Sequence, residues 1–224
     1  MVPIDAVLFD MEGVLVDSEP YWYQSRQEFA RDHGKVWTEA DQRQAMGRAT
    51  TSWAALMQER LGVAMSVDDI IADMKARIIA HYEQHLPVRP GALEAVRLAA
   101  SRYRVGLASG SPTVVIERVM ELTGLNRVFE VIVYGDDIPH GKPAPDIYLA
   151  ACTRLGVEPG RALGIEDSAN GIRSLKAAGM YAIAAPSPGF PLPPEIVQMA
   201  DRQIFSLEDF TLELVAAIVN PGAP

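Results

Sequence analysis

The stretch FDMEGVLVDSEPYW, residues 9–22, decides the architecture. An apolar run from Ile4 to Phe9 reads as a buried strand, and Asp10 and Glu12 follow it at once, with Asp17 and Glu19 just beyond. Acids at the carboxyl end of a buried strand stand where open α/β sheets bind ligands. The chain then leaves the strand pattern: helix-like segments run near 19–33, 39–46, 52–61 and 67–84, with no convincing strand among them. It returns through HLPVRPG, residues 85–91, where Pro87 and Pro90 interrupt any helix.

Downstream, short apolar runs at Val105 to Ala108, Val131 to Tyr134, Ala162 to Ile165 and Tyr181 to Ala184 alternate with helical patterns over 91–102, 112–124, 145–155 and 169–178. Gly124, Gly156 and Gly179 fall where helix C-terminal stops belong. The expected fold is α/β: a doubly wound, Rossmann-like parallel-sheet core of residues 1–17 and 85–224, with an inserted helical-bundle cap of residues 18–84. The crossings at 14–18 and 85–90 are candidate hinges. PSPGFPLPPE, residues 186–195, reads as an ordered surface loop between late core elements.

Composition narrows the function classes. The chain has 224 residues, 49% of them hydrophobic, a formal net charge of −9 and no run of lysines or arginines, which argues against a nucleic-acid backbone or an anionic membrane surface as partner. No uninterrupted apolar stretch of about 18 residues occurs, and MVPIDAVLFD lacks the basic and apolar regions of a signal peptide. Cys152 is the only cysteine, so no intramolecular disulfide forms; it reads as a buried helical thiol. A monomer in the cytoplasm is the expectation.

The residues that follow each strand form a consistent set: Asp10 and Glu12, then Ser109 and Gly110, then Lys142 in the loop after the third strand, then Glu166 and Asp167. Taken singly, each has a plain explanation: an acidic turn, a helix cap before Pro112, a solvated lysine, and acids capping the helix that begins near Ser168. Taken together, carboxylates, a hydroxyl with backbone donors and an ammonium at one sheet edge suit a metal ion and a phosphate.

FDMEGVLVDSE, LASGS, GKPAPDIY and GIEDSANGI, in this order and at these intervals, resemble the motifs of the haloacid dehalogenase superfamily, in the subgroup with a helical cap after the first motif. The resemblance spans nearly the whole chain and is nearest to sugar-phosphate phosphatases of the 2-deoxyglucose-6-phosphate or hexitol-phosphate type and to β-phosphoglucomutase. It implies that Asp10 is the nucleophile and becomes an aspartyl-phosphate. It implies Mg²⁺ on Asp10, the backbone carbonyl of Glu12 and Asp167, with Glu166 a further or outer ligand. Lys142 would pair with Asp10 and the phosphate, and Ser109 with the amide of Gly110 would hold phosphate oxygens. The implied partner is a small phosphorylated metabolite, a sugar phosphate above all.

Glu12 departs from that pattern, which has Asp there as the proton carrier. Reference acidities of Asp and Glu differ little, about 3.9 against about 4.3, but one methylene moves the carboxyl by about a bond length. A 1 Å error can cost on the order of a hundredfold. A competent glutamate, a slowed enzyme and a protein that phosphorylates itself and stalls all remain open. In the cap, Glu19, Tyr21 and Trp22 could face the site from the first helix; Arg48 and Lys75 could meet a second polar part of a substrate, and His140 could lie at its mouth. For Trp22, ordinary packing is the simpler reading. The mutase resemblance wants a histidine in the first cap helix and an arginine where Thr50 stands; their absence favours hydrolysis. The competing classes are a phosphoglucomutase-like transferase and a phosphate-binding module disabled at Glu12.

Overall fold

The computed structural model describes residues 3–45, 48, 50–187 and 189–219. Strands β1 (Ala6–Phe9), β2 (Arg104–Ser109), β3 (Val131–Tyr134), β4 (Ala162–Glu166), β5 (Tyr181–Ala184) and β6 (Arg202–Gln203) form one sheet in the order β3-β2-β1-β4-β5-β6, with every pair parallel. Among the described residues, ten α-helices accompany them: α1 (Glu19–Asp32), α2 (Glu39–Ala45), α3 (Thr50–Leu61), α4 (Val67–Gln84), α5 (Ala92–Ala100), α6 (Thr113–Thr123), α7 (Asp146–Leu155), α8 (Ala169–Ala177), α9 (Pro194–Val197) and α10 (Leu212–Val219). The sheet is the doubly wound α/β core expected from the alternation.

Strand period two sorts the core onto two faces. Val7 and Phe9, with Leu107 and Ile165, meet Val96 of α5, Val115 of α6 and Val215 of α10 on one side. Leu8 and Val133 meet Ile147 and Leu155 of α7 and Leu175 of α8 on the other. The Phe9 ring lies 6.0 Å from that of Phe129 and 6.2 Å from that of Phe210. Leu8 and Phe9 are fully buried, each contributing roughly 1.5–3 kcal/mol relative to an exposed side chain.

Between β1 and α5 the chain forms α1 to α4. Helix α4 shows why: Ile70, Met74, Ile78 and Tyr82 recur every fourth residue, all buried, and Ser66 caps its start by accepting from Asp69 N at 3.1 Å. The apolar cluster on the Phe9 face runs on without a break into Trp22, Phe29, Trp53 and Met57. Helix α4 also packs on α6, with Glu83 and Arg118 paired at 3.0 Å. The two crossings lie side by side as a short antiparallel ribbon: Asp17 N donates to Pro87 O at 2.8 Å and Arg89 N to Leu15 O at 2.9 Å.

Some elements differ from expectation. β6, α9 and α10 were not expected; β6 is a two-residue edge strand without an apolar run of its own. The last residue of the helix expected over 39–46 lies outside the described residues. The 186–195 stretch is not wholly a surface loop: Pro186 and Ser187 are buried because they pack against the turn after β1.

Candidate active site

β1 sits between β2 and β4, with Phe9 level with Leu107 and Ile165, so the residues after these three strands reach one edge together. Chain order reverses between β1 and β4, the place where doubly wound sheets open a crevice. Asp10 N donates to Ile165 O at 3.1 Å, which sets the Asp10 side chain beside those of Glu166 and Asp167. Ligand oxygens of these three acids lie within 4.8 Å of one another.

Lys142 completes the group from 132 positions away. Its ammonium donates to Asp10 Oδ1 at 2.6 Å, to Glu166 Oε1 at 2.5 Å and to Ala108 O at 3.2 Å. Glu166 is fully buried and saturated: Tyr148 Oη donates to Oε1 at 2.7 Å, and Ser168 Oγ to Oε2 at 3.1 Å. Gly171 makes room for it, since a β-carbon there would fall 1.8 Å from the Glu166 carboxyl carbon. Alanine normally suits a helix better than glycine by about 1 kcal/mol, but this overlap dominates. We expect Gly171→Ala to lower thermal stability, by about 1–3 kcal/mol, and activity with it, measured by melting and turnover. A variant as stable as the parent would count against this packing.

The turn after β1 is equally constrained. Gly13 has φ of +75°, and a β-carbon there would meet Asp167 Oδ2 at 1.8 Å. Its carbonyl accepts from Arg89 and, at 3.1 Å, from Ser187 Oγ. Arg89, buried, also donates to Ala185 O at 3.2 Å and Pro186 O at 3.3 Å, while the single Ser187 Oγ proton is shared between Gly13 O and Asp167 Oδ2, the latter 3.3 Å away. One guanidinium thus ties the returning crossing to the turn after β1 and to the loop after β5, whose Ser187 reaches Asp167.

Burial raises the Asp10 carboxyl to about 7, with Lys142 opposing and Glu166 adding to the rise. Burial likewise raises Asp167, helped by Glu166 and Asp10. Burial alone would lower the Lys142 ammonium, but Asp10 and Glu166 hold it above its ordinary value. With all groups ionised, two negative charges are left uncompensated. An oxygen-only, buried, over-negative donor set fits a hard divalent cation.

Ser109, buried at the end of β2, and exposed Gly110 border the same edge. Ser109 does not cap α6: Pro112 occupies the N-cap, and Thr113 N donates to Asp136 at 2.9 Å. Ser111 nearby is buried, its hydroxyl close enough to the Glu12 carboxyl to favour the ionised form.

The expected cap residues divide. Glu12, half-buried, accepts from Trp22 Nε1 at 2.7 Å, so Trp22 is more than packing. Burial raises the Glu12 carboxyl, opposed by that bond. Glu19 accepts from Gln42 at 2.9 Å, inside the helical segment. Arg48 is exposed and donates to Gln44 O at 2.6 Å, and no described contact takes it or Lys75 to the acids. His140 pairs with Asp146 at 2.9 Å. Arg89, Tyr148, Ser111 and Ser187 were not anticipated. Ser111 lies within LASGS and Tyr148 within GKPAPDIY, so both were open to notice; Arg89 and Ser187 need loops brought together by the fold.

A family model for haloacid dehalogenase-like hydrolases matches residues 4–179. The phosphorylated carbohydrates phosphatase of Thermotoga maritima is 34% identical over 185 residues, 80% of this chain and 84% of that protein. Hexitol phosphatase B of Escherichia coli K12 is 32% identical over 209 residues, 92% and 94% of the two chains. Among solved structures, CbbY from Rhodobacter sphaeroides in complex with phosphate superposes with a TM-score of 0.79 at 26% identity, over 92% of this chain and 96% of that one. No helix among the described residues is long and apolar enough to cross a membrane.

Proposed function

The chain belongs to the haloacid dehalogenase-like hydrolase family, and on that premise we propose that it is a Mg²⁺-dependent phosphatase of small phosphorylated sugars and polyols working through an aspartyl-phosphate on Asp10. One observation carries the reading: the ammonium of Lys142 bonded to both Asp10 and Glu166, beside Asp167, at the carboxyl edge of the sheet. The relatives named as phosphatases of phosphorylated carbohydrates and of hexitols support the substrate class.

Asp10, Asp167 and the backbone carbonyl of Glu12 would hold the Mg²⁺, with Glu166 behind them. Bound there, the cation offsets the negative charge of phosphate and acids. Asp10 attacks phosphorus in line. Lys142 keeps the nucleophile ionised and oriented and draws in the phosphate. Ser109 and the amide of Gly110 take phosphate oxygens. Glu12 gives a proton to the leaving oxygen, then takes one from the water that hydrolyses the acyl phosphate. The helices of residues 18–84 act as a cap that excludes competing water, with 14–18 and 85–90 as its hinges.

A panel of hexose and hexitol phosphates, assayed with Mg²⁺ and after chelation, tests this. Phosphate release that disappears on chelation and returns with Mg²⁺ is expected. Undiminished turnover without divalent cation, or isomer conversion without phosphate release, would overturn it.

A further inference from the structure

Glu12 stands in a tight turn whose backbone is fixed: Gly13 N donates to Val16 O at 2.7 Å and Leu15 N to Met11 O at 2.8 Å. Freedom at position 12 is therefore in the side chain. That side chain ends on Trp22, in α1, at 2.7 Å between Nε1 and Oε1. The indole is itself held. Its ring lies 5.8 Å from that of Trp53, and the Arg26 guanidinium lies 5.4 Å from both ring centres. Arg26, 4% exposed, donates to Gln42 Oε1 at 3.0 Å; Trp37 Nε1 donates to the same oxygen at 3.1 Å, and Gln42 donates on to Glu19. Residues of α1, α2 and α3, with Trp37 from the loop before α2, thus fix one N–H in direction.

An indole nitrogen donates and never accepts, so the oxygen it touches stays an acceptor. A carboxylic acid accepts better at its carbonyl oxygen than at its hydroxyl, so a proton on Glu12 then favours Oε2. We propose that Trp22 is a positioning residue: it takes up the extra methylene of Glu12, holds Oε1, and presents Oε2 as the proton-carrying atom. This rests on Glu12 being the acid and base of the proposed reaction. As the bond from phosphorus to the leaving oxygen breaks, the Oε2 proton passes to that oxygen and Glu12 becomes a carboxylate. Water attacking the aspartyl-phosphate returns a proton to it. An aspartate at position 12 would stop short by about a carbon–carbon bond and lose the indole.

Leaving-group dependence separates positioning from general damage, because a nitrophenolate departs without a proton and an alkoxide does not. Values of kcat/KM for a hexitol phosphate and for p-nitrophenyl phosphate would be measured for the parent, Glu12→Gln, Trp22→Phe, Glu12→Asp and the Glu12→Asp, Trp22→Phe double variant. Trp22→Phe is expected to lower the hexitol phosphate value about ten- to a hundredfold while leaving the aryl value within about twofold, the same selective pattern as Glu12→Gln. Adding Trp22→Phe to Glu12→Asp should then cost almost nothing. A selective loss in Glu12→Gln with equal losses, or none, on both substrates in Trp22→Phe would overturn the inference and leave the reaction intact. So would an equal Trp22→Phe effect in the Glu12→Asp background, an arm that serves if Trp22→Phe alone folds poorly. No selective loss in Glu12→Gln would instead remove Glu12 from the acid role, and the inference with it.

Discussion

Asp10→Asn is expected to lose on the order of 10⁴-fold or more in turnover, as removal of a covalent nucleophile does elsewhere, while remaining folded. Its stability carries a second expectation. Burial and the neighbouring Glu166 raise the Asp10 carboxyl to about 7, against Lys142, so in the metal-free fold its charge is penalised. An acid raised on folding lowers stability as pH climbs from its unfolded value to its folded one, and the deficit is constant above that. At pH 8, without divalent cation, Asp10→Asn should therefore melt at or above the parent. The difference should shrink as pH falls towards about 4, where the parent carboxyl is neutral too. Thermal melts across that range in chelator check the sign; a variant that melts well below the parent at pH 8 would mean that Asp10 is held mainly by its bond to Lys142.

Lys142→Met is expected to be as harmful to turnover in kind but opposite in stability. It removes the ammonium that bonds Asp10, Glu166 and Ala108 O, and leaves acids facing one another in a buried site. Loss of a single preorganised electrostatic donor costs about 10²–10³ in kcat, and the orientation of Asp10 goes with it. Breaking a buried ion pair from one side costs about 3–5 kcal/mol. Added Mg²⁺ should recover part of the stability and little of the rate. Denaturant unfolding with and without Mg²⁺, beside turnover, checks both; near-parental stability would mean that the acids are neutral in the fold and need no cation.

Much of this arrangement was legible before any coordinates. The run Ile4 to Phe9 followed by Asp10 announces a buried strand and a site at its end, because parallel strands in the centre of a sheet carry apolar residues on both faces. The insertion was legible because the stripe on α4, Ile70, Met74, Ile78 and Tyr82, has a helix period and nothing near it has a strand period. The acids, Ser109 and Lys142 were legible as positions after strands. That Lys142 bonds Asp10 is a contact across 132 residues, which only the resemblance suggested. Arg89 and Ser187 were out of reach, since their partners are backbone carbonyls and a carboxylate on loops whose approach is tertiary. Trp22 shows the limit most clearly: apolar spacing identifies a buried ring, while the direction of its N–H depends on Arg26, Trp53 and a turn ten residues back. β6 left no mark because two edge residues, Arg202 and Gln203, need no apolar pattern to pair with β5.

Phosphate passing through Asp10 is the step on which the proposed reaction depends. Enzyme mixed with a hexitol phosphate and Mg²⁺, quenched in acid on the turnover timescale and digested with trypsin, yields a peptide ending at Arg26 that contains Asp10. Mass spectrometry should find that peptide carrying an acyl phosphate at Asp10, which borohydride reduces to homoserine, and should find none in Asp10→Asn. Steady turnover with the label on another residue, or an Asp10→Asn variant that still releases phosphate at the parental rate, would contradict the account.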